Sequence, residues 1–213
     1  MAKWGKFITL EGIEGAGKST QLSVVRTCLV DRGIPVVTTR EPGGSPIAES
    51  IRELLLAKGS GGIAEDAELL LIFAARAEHI HKIILQALQR GTWVVCDRFT
   101  DATYAYQGGG RGVDAERIGQ LEELVQGCLR PDLTLLFDLP VALGLERAGR
   151  RSAPDRFESE NLLFFERVRR TYLALARAEP VRVKVINAQQ TEAEVSELVS
   201  SLVSKLAQRY SWT

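Results

Sequence analysis

The stretch Gly12-Ile-Glu-Gly-Ala-Gly17-Lys18-Ser19 decides the fold. It matches the pattern G-x-x-x-x-G-K-[ST], with a β-rich run at 7–10 before it and a helical pattern after it. In such a loop the backbone N–H groups point at phosphate oxygens, and the following helix presents its positive dipole end. Lys18 reaches the β- and γ-phosphates, and Ser19 places a hydroxyl on Mg²⁺. The stretch therefore predicts a nucleoside-triphosphate site.

Short apolar runs alternate with longer helical patterns along the rest of the chain. The β-rich runs lie at 7–10, 35–38, 92–96, 133–137 and 181–186, and the helical patterns lie near 18–32, 46–57, 65–90, 114–128, 158–178 and 191–208. This alternation predicts an α/β fold of the P-loop NTPase type, in which a five-stranded parallel sheet carries helices on both faces. No linker is long enough to divide the chain, so we expect a single domain over residues 1–213.

Composition excludes several classes of protein. The chain has 213 residues, with 27 Lys+Arg against 27 Asp+Glu, and its 45% hydrophobic content is typical of globular proteins rather than disordered ones. A protein that coats nucleic acid carries a basic excess, which is missing here. Cys28, Cys96 and Cys128 form no Cys-x-x-Cys pair, which favours reduced thiols in a cytoplasmic protein. No apolar run approaches 18 residues, so we expect no membrane span. The apolar run within residues 1–12 is too short for a signal peptide.

Several arginines indicate a second anionic ligand. Arg40 and Arg98 follow strands directly, and ligands of parallel sheets bind at the carboxyl ends of strands. Any single one of them is equally compatible with a solvated surface position. Arg76 is different because its helix is apolar nearby, and a buried charge needs a partner. Asp97, at a strand end, is either a Mg²⁺ carboxylate or a turn residue.

A basic segment at 147–156 contains four arginines. The phosphate loop contains no arginine, although phosphoryl transfer needs cations around the moving group. We therefore expect this segment to be an exposed, mobile loop that closes over the site as a lid and excludes water; the alternative is an ordinary solvated loop. The glycine cluster at 108–112 is also interpreted as a loop. Glu14, inside the phosphate loop, has to face a sugar hydroxyl or an arginine.

At this point the sequence resembles the thymidylate kinase family, of the bacterial type with lid arginines, over essentially the whole chain. The resemblance rests on the phosphate loop together with Thr39-Arg-Glu-Pro-Gly-Gly44, Phe73-Ala-Ala-Arg76, Asp97-Arg98-Phe99, Ala105-Tyr-Gln-Gly-Gly-Gly-Arg-Gly112 and Pro131-Asp-Leu-Thr-Leu135. It implies transfer of the ATP γ-phosphoryl group to dTMP, giving dTDP and ADP with Mg²⁺ as cofactor. It also implies a homodimer. From the cysteines, the zero net charge and the short apolar runs we expect a cytoplasmic protein that binds neither nucleic acid nor membrane.

The resemblance implies a role for each matching position. The catalytic residues are Glu14, Lys18, Asp97, Arg98 and Arg151. The ATP-binding residues are Gly12, Gly15, Ala16, Gly17, Lys18, Ser19, Thr20, Arg147, Arg150 and Ala188. The dTMP-binding residues are Glu14, Glu41, Pro42, Arg52, Ile72, Phe73, Arg76, Arg98, Ala102, Thr103, Tyr106 and Gln107. The Mg²⁺ ligands are Ser19 and Asp97, and the lid covers about 147–157.

Two positions depart from the family pattern. Ala102 stands where the family usually has Ser, and Thr103 follows it. Ile72 stands where the family usually has an aromatic residue that stacks on the base, and Phe73 comes one residue later, a rotation of about 100° on a helix. Both departures concern affinity and base preference rather than catalysis.

Three other functions remain to be weighed. A kinase for a deoxynucleoside or another pyrimidine nucleotide would carry the same loop. A nucleotide-binding partner without activity is disfavoured, because Lys18, Asp97 and the lid arginines are all present. A GTPase switch is disfavoured because the chain has neither Asn-Lys-x-Asp nor Asp-x-x-Gly after the loop.

Overall fold

A parallel sheet forms the centre of the molecule in a computed structural model that describes residues 4–57, 62–150 and 156–210. Within these ranges the strands are β1 Phe7–Glu11, β2 Val36–Arg40, β3 Trp93–Asp97, β4 Leu133–Asp138 and β5 Val183–Asn187. Their order in the sheet is β2-β3-β1-β4-β5, and all four pairings are parallel. The phosphate loop thus leaves the sheet from its central strand.

Helices connect the strands. They are α1 Lys18–Val30, α2 Pro46–Leu56, α3 Glu65–His79, α4 Leu85–Gln89, α5 Thr100–Thr103, α6 Ala115–Gln126, α7 Val141–Gly149, α8 Leu162–Ala178 and α9 Glu192–Arg209. Two π-helical segments, Ile80–Ile84 and Tyr104–Arg111, follow α3 and α5. Ser45 caps α2 through its hydroxyl, and Thr191 with Glu194 forms a capping box on α9. None of the helices in the described ranges combines the length and apolar character needed to span a bilayer.

The two faces of the sheet are buried by different helices. Ile8 and Leu10 of β1 pack in one cluster with Val25 of α1. Phe7 of the same strand packs in another cluster with Ile84 and Leu88, which lie in the helical segments before β3. Such alternation follows from the period of two along a strand. The predicted α/β fold with a parallel sheet flanked by helices is confirmed.

The glycine cluster at 108–112 is helical over most of its length, so its interpretation as a loop is wrong. The π-helical segment Tyr104–Arg111 packs against α8. A Cβ atom at Gly109 would lie 2.1 Å from Oγ1 of Thr171, and one at Gly110 would lie 2.4 Å from the ring of Phe164. These glycines therefore allow close helix packing, which a single-sequence pattern cannot distinguish from a turn.

The basic segment is also partly helical. Arg147 lies within α7, a helix that the sequence pattern did not predict, and Arg150 follows its last residue. Gly144 weakens the helical signal of α7, yet a Cβ atom there would lie 2.7 Å from the carbonyl oxygen of Glu14. The glycine therefore permits contact with the phosphate loop. Arg151, the expected catalytic lid arginine, lies outside the described residues.

Candidate active site

The phosphate loop joins β1 to α1 and depends on glycines with positive φ. Gly12 has φ 135°, and a Cβ atom there would lie 2.5 Å from the carbonyl oxygen of Phe137. Gly15 has φ 71°, and a Cβ atom there would lie 1.9 Å from the carbonyl oxygen of Gly144. Any side chain would therefore open the loop. Because α1 begins directly after it, the unpaired N–H groups of the first helical turn face the loop.

Lys18 is buried inside this loop. Its Nζ donates to the carbonyl oxygens of Gly12 and Ile13, both at 2.9 Å. Burial lowers the pKa of Lys18 to about 8, so the side chain is still an ammonium group at neutral pH. An ammonium group has three N–H donors, and within the described residues two of them are used, which leaves one for a phosphate oxygen.

A cavity of about 360 Å³ extends from the phosphate loop. It brings together most of the residues that the family resemblance implied. Of these, its walls contain Glu14, Gly15, Ala16, Gly17, Lys18, Ser19, Glu41, Pro42, Arg52, Ile72, Arg76, Asp97, Arg98, Ala102, Thr103, Tyr106 and Gln107. The predicted dTMP pocket and the phosphate loop therefore share one continuous space.

Arg98 occupies a strained position at the end of β3. Its φ of 68° is the only positive φ of a non-glycine residue in the described ranges. Its Nη2 donates to Glu14 at 2.8 Å, its Nη1 donates to the Tyr172 hydroxyl at 3.3 Å, and its Cζ lies 4.6 Å from the centre of the Tyr106 ring. Tyr106 also donates to Glu14, at 2.7 Å. Glu14 therefore faces an arginine, which is the arrangement that its place in an anion-binding loop required.

Arg76 is the buried charge whose partner the sequence required. It is 2% exposed, and its Nε donates to Oε2 of Glu41 at 2.7 Å. Its Nη2 donates to Oγ1 of Thr103 at 2.9 Å, while Nη1 is buried and has no hydrogen-bond partner among the described residues. Burial opposes ionisation of Glu41, but the charge of Arg76 and the hydrogen bond from His79 keep the pKa of Glu41 below its ordinary value. A buried donor without a partner marks a place for a ligand acceptor.

The two departures from the family pattern lie on the cavity wall. Ile72 lines the cavity, whereas Phe73 packs behind it, with the guanidinium of Arg76 4.9 Å from the centre of its ring. Ala102 and Thr103 both line the cavity, and the Thr103 hydroxyl is held by Arg76. An aliphatic side chain therefore occupies the position of the usual stacking aromatic.

Ser19 and Asp97 lie beside the phosphate loop on the same cavity wall. Oδ1 of Asp97 is buried without a hydrogen-bond partner in the described residues, and Ser19 is exposed at the start of α1. No group of three or more carboxylate, His or Cys side chains that could form a metal cage occurs in the described ranges. Mg²⁺ is usually bound by one or two protein groups plus phosphates and water, so this pair of oxygens fits it.

The remaining residues of the predicted ATP site lie outside the cavity wall. Nη1 of Arg147 donates to the carbonyl oxygen of Ala188 at 3.0 Å, which brings these two expected adenine neighbours together. Arg150 is exposed and pairs with Glu146. Thr20 is an exposed residue in the first turn of α1.

Comparisons with known proteins agree with this geometry. The family model described as thymidylate kinase matches residues 10–199. The chain belongs to the thymidylate kinase family. Thymidylate kinase of Pseudomonas syringae pv. syringae is 57% identical over 202 residues, which are 95% of this chain and 96% of that protein. Thymidylate kinase of Pseudomonas putida (strain W619) is 56% identical over 203 residues, 95% of this chain and 98% of that protein.

A solved structure extends the likeness to three dimensions. The crystal structure of thymidylate kinase from Ehrlichia chaffeensis matches with a TM-score of 0.73 and 35% identity, over 95% of this chain and 98% of that one. Together these matches confirm the resemblance found in the sequence and the expectation of an enzyme of the kinase class.

Several residues in or next to this cavity were missed by the sequence analysis. Glu11 is fully buried at the end of β1, where it accepts from the backbone N–H of Phe99 and from the Tyr172 hydroxyl, both at 2.7 Å. Burial raises the pKa of Glu11 to about 8. Phe157, at the end of the predicted lid, and Glu158 directly after it also line the cavity. The available signal for Glu11 was its position as a charged residue at the end of an apolar strand. Phe157 and Glu158 gave no such signal, because their contacts with the cavity join distant parts of the chain.

Proposed function

We propose that the cavity binds dTMP and that the phosphate loop binds the triphosphate of ATP, so that the chain produces dTDP and ADP. The observation that carries this proposal is Arg76, a buried guanidinium with an unpartnered Nη1 on the wall of a cavity that begins at a phosphate loop. A base oxygen that accepts from Nη1 would satisfy this donor. The acceptor phosphate would then point toward Arg98 and the loop.

Gln107 supports a pyrimidine with an N–H group beside that oxygen. The amide nitrogen of Gln107 donates to Oε1 of Glu68 at 2.8 Å, and a buried carboxylate can only accept. The amide oxygen of Gln107 therefore remains as an acceptor on the cavity wall. A donor from Arg76 and an acceptor from Gln107 suit thymine, which presents O4 and N3–H, and oppose cytosine, which presents the reverse pattern. Discrimination of this kind is strong because a wrong base leaves buried polar groups unpaired.

The phosphoryl transfer site combines positioning with positive charge. Arg98 is held by Glu14 and Tyr172, so its guanidinium is oriented before the acceptor phosphate arrives. Glu14 also holds Tyr106 at the sugar side of the pocket. Lys18 contributes its remaining N–H donor to the phosphate that moves. Ser19 and Asp97 would hold Mg²⁺, which when bound neutralises charge on the β- and γ-phosphate oxygens.

The lid completes the proposed mechanism. We assign residues about 147–157 of a single kinase domain to it, with Arg147 and Ala188 beside adenine. The phosphate loop supplies no arginine, so Arg151 is proposed to stabilise the charge on the transferred group. Closure of such a segment also excludes water and so prevents hydrolysis of ATP.

The proposed homodimer is supported by an apolar stripe on α3. Ala67, Leu70, Ala74 and Ala77 are exposed at helical spacing, and Leu124 on the neighbouring α6 is 80% exposed. A second copy of the chain would bury this face. We propose further that the enzyme is cytoplasmic, because Cys28, Cys96 and Cys128 are all free thiols, and that it binds neither nucleic acid nor membrane.

ATP labelled at its γ-phosphorus tests the proposed function. Incubation with dTMP and Mg²⁺ should transfer the label to dTDP, with one ADP formed for each dTDP. Lys18→Met, which removes the ammonium group from the phosphate loop, should abolish the transfer while dTMP still binds. Label that appears in inorganic phosphate at the same rate with and without dTMP would contradict the proposal.

A further inference from the structure

A hydrogen-bond relay of four side chains leads from the edge strand of the sheet to the cavity. Oγ1 of Thr39 lies 2.7 Å from Nε2 of His79, and Nδ1 of His79 lies 2.9 Å from Oε1 of Glu41. The other oxygen of Glu41 accepts from Nε of Arg76 at 2.7 Å. The relay therefore runs in the order Thr39, His79, Glu41, Arg76 and ends at the guanidinium that lines the cavity.

The direction of each hydrogen bond follows from the chemistry of its partners. An ionised carboxylate can only accept, so both His79 and Arg76 donate to Glu41. In the neutral imidazole this places the proton on Nδ1, and Nε2 then accepts from the Thr39 hydroxyl. Each oxygen of Glu41 thus has one dedicated donor, which fixes the plane of the carboxylate.

The middle of the relay is buried, whereas Thr39 at its far end is half-buried. His79 is 0% exposed, and Glu41 is 5% exposed. Gly44 closes it from outside: a Cβ atom there would lie 2.5 Å both from Cδ2 of His79 and from Oγ1 of Thr39. Around His79 itself there is therefore little room for water to replace a lost partner. The same contact accounts for the second glycine of the Arg-Glu-Pro-Gly-Gly stretch, which the phosphate chemistry does not explain.

We propose that His79 is a positioning residue for dTMP, which acts by holding Glu41 so that Arg76 keeps its Nη1 available to the base; this inference rests on the proposed function. Without His79, Oε1 of Glu41 would lose its donor and the carboxylate would turn toward the guanidinium. Arg76 would then be drawn from Thr103, and its unpartnered Nη1 would leave the base-binding position. His79 itself contacts no substrate.

Two substitutions at His79 separate this role from packing. His79→Leu removes both ring nitrogens at similar volume, whereas the amide nitrogen of His79→Asn occupies nearly the position of Nδ1 and still donates to Glu41. We expect His79→Leu to weaken dTMP binding by at least about tenfold and to leave the affinity for a non-hydrolysable ATP analogue within about twofold, both measured by calorimetry. His79→Asn should stay within about threefold of wild type.

A coupling measurement shows whether His79 acts through the ion pair. In the background Glu41→Gln with Arg76→Met, in which the ion pair is replaced by neutral side chains, His79→Leu should cause no further loss of dTMP affinity. An equal loss in this background, an equal loss for the ATP analogue, or equal effects of His79→Leu and His79→Asn would overturn the proposal. So would an unchanged dTMP affinity in His79→Leu.

Thr39→Val provides a test that does not depend on the folding of His79→Leu. It removes the hydroxyl at the far end of the relay at constant shape, and we expect dTMP binding weaker by at least about threefold with the ATP analogue unaffected. An unchanged dTMP affinity would overturn the relay. Turnover of dTMP by the wild-type protein, measured in the same series, distinguishes the proposed function from the role of His79. If the wild type does not turn over dTMP, the proposed function is wrong. If it does, but the variants bind dTMP as tightly as the wild type, only the role of the relay is wrong.

Discussion

Arg76→Met is the substitution whose consequences can be worked out most fully. The unbranched side chain keeps the apolar stem but removes the donors to Glu41, Thr103 and the proposed base. Loss of one charge-assisted hydrogen bond costs about 1.5–3 kcal/mol, which corresponds to roughly ten- to 150-fold weaker dTMP binding. The affinity for ATP should not change, because Arg76 has no contact with the phosphate loop in the described residues.

The same substitution leaves Glu41 buried without its cation. Removal of one partner of a buried ion pair costs about 3–5 kcal/mol, a large part of the total stability of a domain. Adding Glu41→Gln removes the stranded charge, and the amide oxygen still accepts from His79. The double variant should therefore recover most of the free energy of unfolding, measured in urea, without recovering dTMP binding, measured by calorimetry. Recovery of both, or equal losses for dTMP and ATP in the single variant, would refute the assignment of Arg76 to the base.

Three further predictions concern the lid, the buried carboxyl and the subunit contact. Arg151→Ala should lower the single-turnover rate by about 10³-fold or more and leave dTMP affinity unchanged. The control Arg170→Ala, at an exposed position on α8, should keep the wild-type rate. A near-normal rate in Arg151→Ala would exclude this arginine from catalysis. Burial raises the pKa of Glu11 from 4.5 to about 8, so the stabilising contribution of its protonated form should be complete below pH 4.5 and lost as the pH rises through 8. The melting temperature of Glu11→Gln should therefore decline less than that of the wild type between pH 4.5 and 8. The same decline in both proteins would contradict a raised pKa at Glu11. Leu70→Glu should convert a dimer to a monomer in light-scattering chromatography, whereas Arg26→Glu on the exposed side of α1 should not; a dimer that persists in Leu70→Glu would place the contact elsewhere.

The parts of the fold that local patterns encode could be predicted from the sequence. The phosphate loop is a contiguous motif, and the five strands are short apolar runs whose positions agree with the structure to within a few residues. The segment at 104–111 could not be predicted in this way. Its glycines carry no helical propensity, and its helical form depends on packing against α8, more than fifty residues later.

In the site, too, residues within local motifs could be predicted, whereas residues joined only by long-range contacts could not. Side chains that the family motifs carry, such as Arg76 and Arg98, were predicted and line the cavity. Glu14, Glu41 and Thr103, which accept hydrogen bonds from these arginines, were predicted as well. Tyr172, Glu11 and His79, which complete the network, were not, because Tyr172 reaches Glu11 across 161 positions and His79 reaches Glu41 across 38. Whether Ile72 or Phe73 faces the cavity also depended on the rotation of α3 against its neighbours, which no periodicity fixes to within one residue.

ADP release with ATP, Mg²⁺ and each nucleoside monophosphate in turn tests the central claim most directly. The account predicts fast turnover with dTMP and little with dCMP, AMP or GMP, with Ile72 and Ala102 as tolerated variations. Turnover that favours another monophosphate, or no turnover with any of them despite measurable ATP binding, would contradict it.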